Sequence, residues 1–252
     1  MAHPSTHHRT GLADPRDNLV LADVSDAVYA RLASALQPVV LRAGERLDGD
    51  ALEQERRFYF IGRGIVSLLY TTFDGESAEM AIVGREGGVD LGRVFGAHAM
   101  PGERVVQASG CGWAIEPEAL RREFTRGGAL QDALLAFSQA LMVQAAQTAV
   151  CNRHHGVEKQ FIRWALLSLD RLAGSDLAMT QDSIARMLGV RRAGITEAAG
   201  RLRREGLLEL ERGHVRVNDR AALEARACEC YSVIRDQYER VLPGLQRVPA
   251  SR

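Results

Sequence analysis

Residues 180–206, TQDSIARMLGVRRAGITEAAGRLRREG, leave the C-terminal half of the chain few structures to choose from. Thr180, followed three residues later by Ser183, offers an N-cap for a helix QDSIARML with Ile184, Ala185 and Leu188 facing inward. Gly189 supplies the backbone position a tight turn needs, and Val190 fills the angle between two helices. The stretch RRAGITEAAGRLRREG resumes the helical period through Ile195, Ala199 and Leu202 and stops at Gly206. Helix, glycine turn and helix make a helix-turn-helix unit. LLELERGHVRVNDR then predicts a two-stranded wing turning at Arg212-Gly213.

Charge is concentrated on this unit. The chain has 252 residues with Lys+Arg and Asp+Glu both at 32, so affinity for a polyanion has to come from local clustering. Between Arg186 and Arg204 stand six arginines and one acid, Glu197. An arginine fork matches phosphate and guanine edges, and a helix bearing such a face fits a DNA major groove. The expected DNA contacts are Thr180, Gln181, Arg191, Arg192, Thr196, Glu197 and Arg201, with Arg212 and Arg216 of the wing on the flanking backbone. An exposed arginine helix is often only a solvated surface. The cap, Gly189, the apolar positions and the wing together favour DNA.

Upstream the period changes. Between about 37 and 116, short β-rich runs (RRFYFIG, GIVSLLYTTF, EMAIVG, RVVQASG) are separated by Gly and by Asp74-Gly75, which predicts an antiparallel barrel or roll. Ser25 caps a short helix before it, and Pro117 opens one after it. GGALQDALLAFSQALMVQAAQTAVCNRHH follows with two apolar seams on one helix, Leu130, Leu134, Phe137 and Leu141 beside Leu135, Met142, Ala145 and Ala149. That is more apolar surface than one neighbouring layer needs, so a dimer is expected, with Leu130, Leu134, Phe137, Leu141, Gln144 and Thr148 at its interface. The predicted fold class is α+β. A mobile tail (1–18) precedes an antiparallel, jelly-roll-like β-roll (19–126), a long dimerisation helix (127–156), a winged helix-turn-helix domain (157–240) and a second tail (241–252).

With these residues in hand, the chain resembles the Crp/Fnr family of bacterial transcription regulators from about residue 20 to 240. MTQDSIARMLGVRRAGITEAAGRLRREGLLEL is similar to the family's helix-turn-helix, and RGHVRVNDRAALE to its wing and exit into a last helix. The resemblance implies a homodimeric regulator of a near-palindromic double-stranded operator, with RNA polymerase left open as a partner. It also implies a sensor for a small-molecule effector whose identity the sequence does not give. Family members read bases with an Arg-Glu pair and a second Arg at the start of the recognition helix. Here Arg192 matches the first Arg, whereas Ala193 and Glu197 replace the other two, so the family's operator does not carry over.

The sensor stretch GREGGVDLGRVFGAHAMPGERVVQASG departs further from cyclic-nucleotide binders. Gly87 and Gly88 could offer N–H groups to an anion, Asp90 stands near the place of the ribose-binding Glu, and Arg104 is the sole candidate for the phosphate. No cofactor is therefore expected, and cyclic nucleotides are disfavoured. A partner protein, another small molecule, or no ligand remain as alternatives, as does a β-roll sensor acting through protein contacts alone.

The first cysteine is Cys111, which disfavours the family's N-terminal iron–sulfur mode. His98 is a lone candidate haem ligand, more simply structural, and His3, His7 and His8 are expected to be solvated. Cys151, His154, His155 and Glu158 could form a metal group or a polar joint. Cys228 and Cys230 flank Glu229 on a helix, are expected on different faces, and read as buried thiols or a redox switch. No metal site is assigned. The chain lacks GxSxG, P-loop and HExxH motifs, so no enzyme is expected. It also has no run of eighteen apolar residues and no signal peptide, which leads to the expectation of a cytoplasmic protein without a membrane partner.

Overall fold

The computed structural model describes residues 14–47, 57–97, 102–172 and 174–242. His3, His7, His8, His98 and the segment 243–252 lie outside the described residues. A 3-10 turn, Pro15–Asp17, leads into α1 (Leu19–Ala22). Asn18 caps α1 and donates its amide N–H groups to the carbonyls of Ile61 (2.8 Å) and Gly87 (2.7 Å). It is fully buried, so residues 14–18 belong to the fold and not to the expected tail. Ser25 caps α2 (Asp26–Ala33) as its hydroxyl accepts the Val28 N–H.

The strands are β1 (Gln37–Leu41), β2 (Phe58–Thr71), β3 (Ser77–Val83), β4 (Gly88–Val89) and β5 (Glu103–Ile115). They form one antiparallel sheet in the order β1-β5-β2-β3, with β4 also on β2. Where the sequence suggests short strands broken at glycines, β2 runs for 14 residues and β5 for 13. Gly64 sits inside β2 at φ 92, where a Cβ would come within 2.5 Å of the Ala108 carbonyl oxygen. The ladder between β2 and β5 slips on both sides of Arg63, so this glycine bends a continuous strand instead of ending it.

Past α3 (Leu91–Val94) and α4 (Pro117–Thr125), α5 (Ala129–His154) is the longest helix. Leu130, Leu134, Phe137 and Ala140 are buried in the core. This overturns the expected dimer face. Leu141 is also buried, the Gln144 side-chain oxygen accepts the Tyr238 hydroxyl at 2.9 Å, and the Thr148 hydroxyl accepts Arg163 Nη1 at 3.1 Å, all within one protomer. Period alone could not tell which apolar seam the sheet would take. The exposed seam is Leu135, Gln139, Met142, Ala146, Ala149 and Arg153, at alternating spacings of four and three. By length and composition α5 could also cross a membrane, but its inner seam is packed inside the protein.

Helix α6 spans Val157–Leu169, and Gln160 through Leu169 are all buried. It lies between the sheet and the remaining elements: β6 (Asp176–Leu177), α7 (Gln181–Leu188), α8 (Arg192–Arg204), β7 (Leu208–Glu211), β8 (His214–Val217), α9 (Arg220–Arg226) and α10 (Glu229–Val241). Polar groups stitch this joint. Ser67 donates to Gln107 Oε1 and Gln107 Nε2 to the Ser168 hydroxyl, both at 2.9 Å, and Arg171 meets Glu86 at 2.6 Å with both side chains buried. Glu79 of β3 is buried in the same joint. Burial pushes its carboxyl up to about 7, against the pull of Ser67, Arg163, Trp164 and Arg171.

Candidate nucleic-acid interface

The Thr180 hydroxyl accepts the Ser183 N–H at 3.1 Å and starts α7. Ile184, Ala185 and Leu188 of α7 and Ile195, Ala199 and Leu202 of α8 are buried in one apolar cluster. Gly189, at φ 63, ends α7, and a Cβ there would lie 3.2 Å from Ala78 Cβ on β3. The turn therefore packs closely against the edge strand of the sheet. Beyond Gly206, β7 and β8 form the wing and turn at Arg212-Gly213, with β6 on the far edge of β8.

The apolar side of α8 is spent inward, and this fixes what it shows outward. Arg191, Arg192, Thr196, Glu197, Arg203 and Arg204 are exposed. Arg186, Arg191, Arg203, Arg212 and Arg216 make no ion pair with any described residue, so their charge faces solvent. Arg192 lies 3.3 Å from Asp182, both well exposed, a pairing too weak to hold the guanidinium against a phosphate or base. The Thr196 hydroxyl donates to Gln181 Oε1 at 2.7 Å, which locks the two helices where both residues reach the surface.

Arg201 is a different case. It reaches back to Glu158 at the start of α6 (2.8 Å) and along its own helix to Glu197 (2.6 Å). Glu158 also receives Arg226 at 2.6 Å, and Arg226 pairs with Glu205. Despite burial, these guanidinium groups hold the Glu158 carboxyl below its usual range. Arg201 and Glu197 thus brace α8 against α6 instead of presenting a free arginine. Nothing in the sequence marked Glu158 as the hub, because its two arginine partners lie 43 and 68 residues away. It also separates Glu158 from the metal group suggested with Cys151, and His154 points to solvent.

The sensor residues differ from expectation too. Gly87 is no anion cradle: a Cβ there would fall 2.2 Å from the Phe137 ring, its N–H donates to the Gly84 carbonyl, and its carbonyl accepts from Ile61 and Asn18. Gly88 is paired with Phe60 in the sheet and packs on the Phe58 ring. Close packing is what demands these two glycines. Asp90, in the left-handed region at φ 78, forms a buried ion pair with Arg104, which also donates to the Gly102 carbonyl at 2.7 Å. The cavity beside this pair measures about 20 Å³. That is room for about one water, against the several hundred Å³ that a small-molecule pocket takes.

Residues 162–226 match the family model of the Crp-like helix-turn-helix domain. Solved structures with the same architecture include a transcriptional regulator of the Crp/Fnr family from Eubacterium rectale, 16% identical, with a TM-score of 0.61 over 82% of this chain and 96% of that one. The c-di-GMP responsive global regulator CLP of Xanthomonas campestris is 15% identical, with a TM-score of 0.61 over 77% of this chain and 100% of that one. FixK2 of Bradyrhizobium japonicum is 16% identical, with a TM-score of 0.59 over 77% of this chain and 98% of that one. At these identities the likeness is one of fold. No curated protein sequence matches the chain.

Proposed function

We propose that this chain, a Crp-like helix-turn-helix domain carried on the fold of the Crp/Fnr regulators, acts as a homodimeric, sequence-specific DNA-binding transcription regulator. The observation that carries the reading is the outer face of α8, where Arg191, Arg192, Arg203 and Arg204 stand exposed on a helix whose other side is fully packed. Such a face enters a major groove, with Arg191 and Arg192 at the helix start over base edges. Arg203, Arg204, Arg212 and Arg216 serve the phosphates.

The dimer forms along Leu135, Met142, Ala146 and Ala149, whose alternating spacing suits a parallel two-helix seam. Leu135 and Met142 are 48% and 69% exposed in the single chain, which is apolar surface in need of a cover. Two recognition helices related by that axis read half-sites about 34 Å apart. The sensor acts on them mechanically: β3 touches the helix-turn-helix at Ala78, so a shift in the sheet changes the balance of DNA-competent orientations. Cyclic nucleotides are not the effector in this reading, because Arg104 is committed to Asp90 beside a cavity of about 20 Å³.

Selection of bound duplexes from a random pool by the purified chain tests this. An inverted repeat should emerge, and its half-sites should lose definition with Arg192→Ala. If no sequence is enriched and binding is equally weak to all duplexes, the protein signals through other partners.

A further inference from the structure

Four side chains that the proposed function does not use converge where α5 ends. Cys151 and His155 sit one helical turn apart at the C-terminal end of α5, and Cys228 and Cys230 open α10. Their ligating atoms all lie within 4.8 Å of one another, and the three cysteines are buried. The sequence suggested different faces for Cys228 and Cys230. Cys228, however, is the N-cap of α10 with extended backbone (φ −80, ψ 164), so its side chain does not follow the helical period and turns to the same point as Cys230.

We infer that Cys151, His155, Cys228 and Cys230 form a mononuclear, tetrahedral Cys₃His site for a zinc-like divalent cation. The distances fit that geometry. Zinc–sulfur bonds of about 2.3 Å and zinc–nitrogen bonds of about 2.0–2.1 Å imply tetrahedral edges of about 3.8 Å between two sulfurs and about 3.5 Å between sulfur and nitrogen. Cys151 Sγ and Cys228 Sγ are 3.7 Å apart, and Cys230 Sγ and His155 Nδ1 are 3.5 Å apart. Ligands gathered this closely address one ion, not a multi-iron cluster whose thiolates stand on separate irons.

The surroundings are those of a metal site as well. His155 turns Nδ1 inward while its Nε2 lies 3.6 Å from a carboxylate oxygen of Glu229, the arrangement that fixes a ligating imidazole. Gln147 Nε2 donates to Cys230 Sγ at 3.2 Å. The N-terminus of α10 favours thiolate at Cys228. Binding would release three thiol protons to solvent, and the three thiolates with neutral His155 would leave the loaded site at a net charge of −1. Buried Arg163 supplies the counter-charge: it spans Thr148 and Asn152, on either side of Cys151 along α5. The site would clamp the last helix to the end of α5, immediately before Gly156 and the start of α6.

The test is elemental analysis of the full chain purified under reducing conditions, followed by titration of the metal-stripped chain with Co²⁺. We expect about one zinc per chain, about one in His154→Ala, whose side chain is exposed and outside the site, and loss of it in Cys228→Ser. Co²⁺ should give thiolate-to-metal charge-transfer bands in the near ultraviolet with strong visible bands of a tetrahedral ion, a readout that needs neither a variant nor DNA. Zinc at or below the Cys228→Ser level overturns the site, as does weakly absorbing octahedral cobalt. A Cys151–Cys228 disulfide as the stable form, seen as a loss of two hydrogens in the mass of protein that takes up no metal even after reduction, overturns it equally. Binding to DNA is measured separately, so failure there leaves the metal result intact.

Discussion

Replacing Glu79 by Gln should remove a pH dependence of stability that the wild-type chain carries at the joint between sheet and α6. Burial raises the Glu79 carboxyl from 4.5 to about 7, so between those values the folded chain holds a proton that the unfolded chain has released. Stability is therefore fully present below pH 4.5, falls as pH rises, and levels off above about 7. At about 1.4 kcal/mol per pH unit, the interval amounts to about 3 kcal/mol. Gln keeps the shape of the protonated acid and has no proton to lose. Urea unfolding of both proteins isolates the effect, since every other titrating group is common to the two. The variants should be nearly equal at about pH 4, and Glu79→Gln should be the more stable by about 3 kcal/mol at about pH 8. Parallel curves would refute this, and so would a less stable Gln variant at high pH. Either would mean that Arg163 and Arg171 hold Glu79 ionised in the native chain.

On the DNA side, Arg192→Ala should cost about 1–3 kcal/mol on the selected site and leave random duplexes less affected, whereas Arg203→Ala should weaken both and reduce the salt slope by about one, as fluorescence anisotropy across salt concentrations would read. Met142→Glu should yield a folded monomer in sedimentation, while Leu134→Glu, which places a charge at a fully buried position, should lose native circular dichroism altogether; a folded Leu134→Glu monomer would return the dimer to the inner seam. Gly87→Ala, whose methyl would meet the Phe137 ring at 2.2 Å, should cost about 1–3 kcal/mol in thermal unfolding, and an unchanged midpoint would show that the glycine is there for something other than packing.

The reading head was legible in the sequence because its signals are local: the Thr180 cap, Gly189 and the Arg212-Gly213 turn each act within a few residues. The β2–β3 hairpin at Asp74-Gly75 was legible for the same reason. What stayed hidden depends on distance along the chain. Two seams on α5 have the same period, and only the sheet that covers one of them decides which is free. Arg201 looked like another member of the basic face until Glu158, 43 residues earlier, claimed it. Asp90 and Arg104 each looked available for a ligand because nothing local announces that they answer each other. The cysteine group needed two helices whose ends are some 75 residues apart, together with a cap geometry that breaks the helical period.

Helix α6 settles how such a protein can be taken apart. Because ten consecutive residues of it are buried between the sheet and the reading head, neither side owns it. Cutting the chain at Gly156 leaves the C-terminal piece with Trp164 and Ser168, which face Glu79 and Gln107 of the sheet, bare, and cutting it after Leu169 strips that piece of its floor. A graft of this helix-turn-helix onto another sheet domain would have to carry α6 with it and find there a serine-and-glutamine counterpart for Ser168 and an acid for Arg171. The joint is then the part that has to be kept whole, and substitutions on the wing and the outer face of α8 leave it untouched.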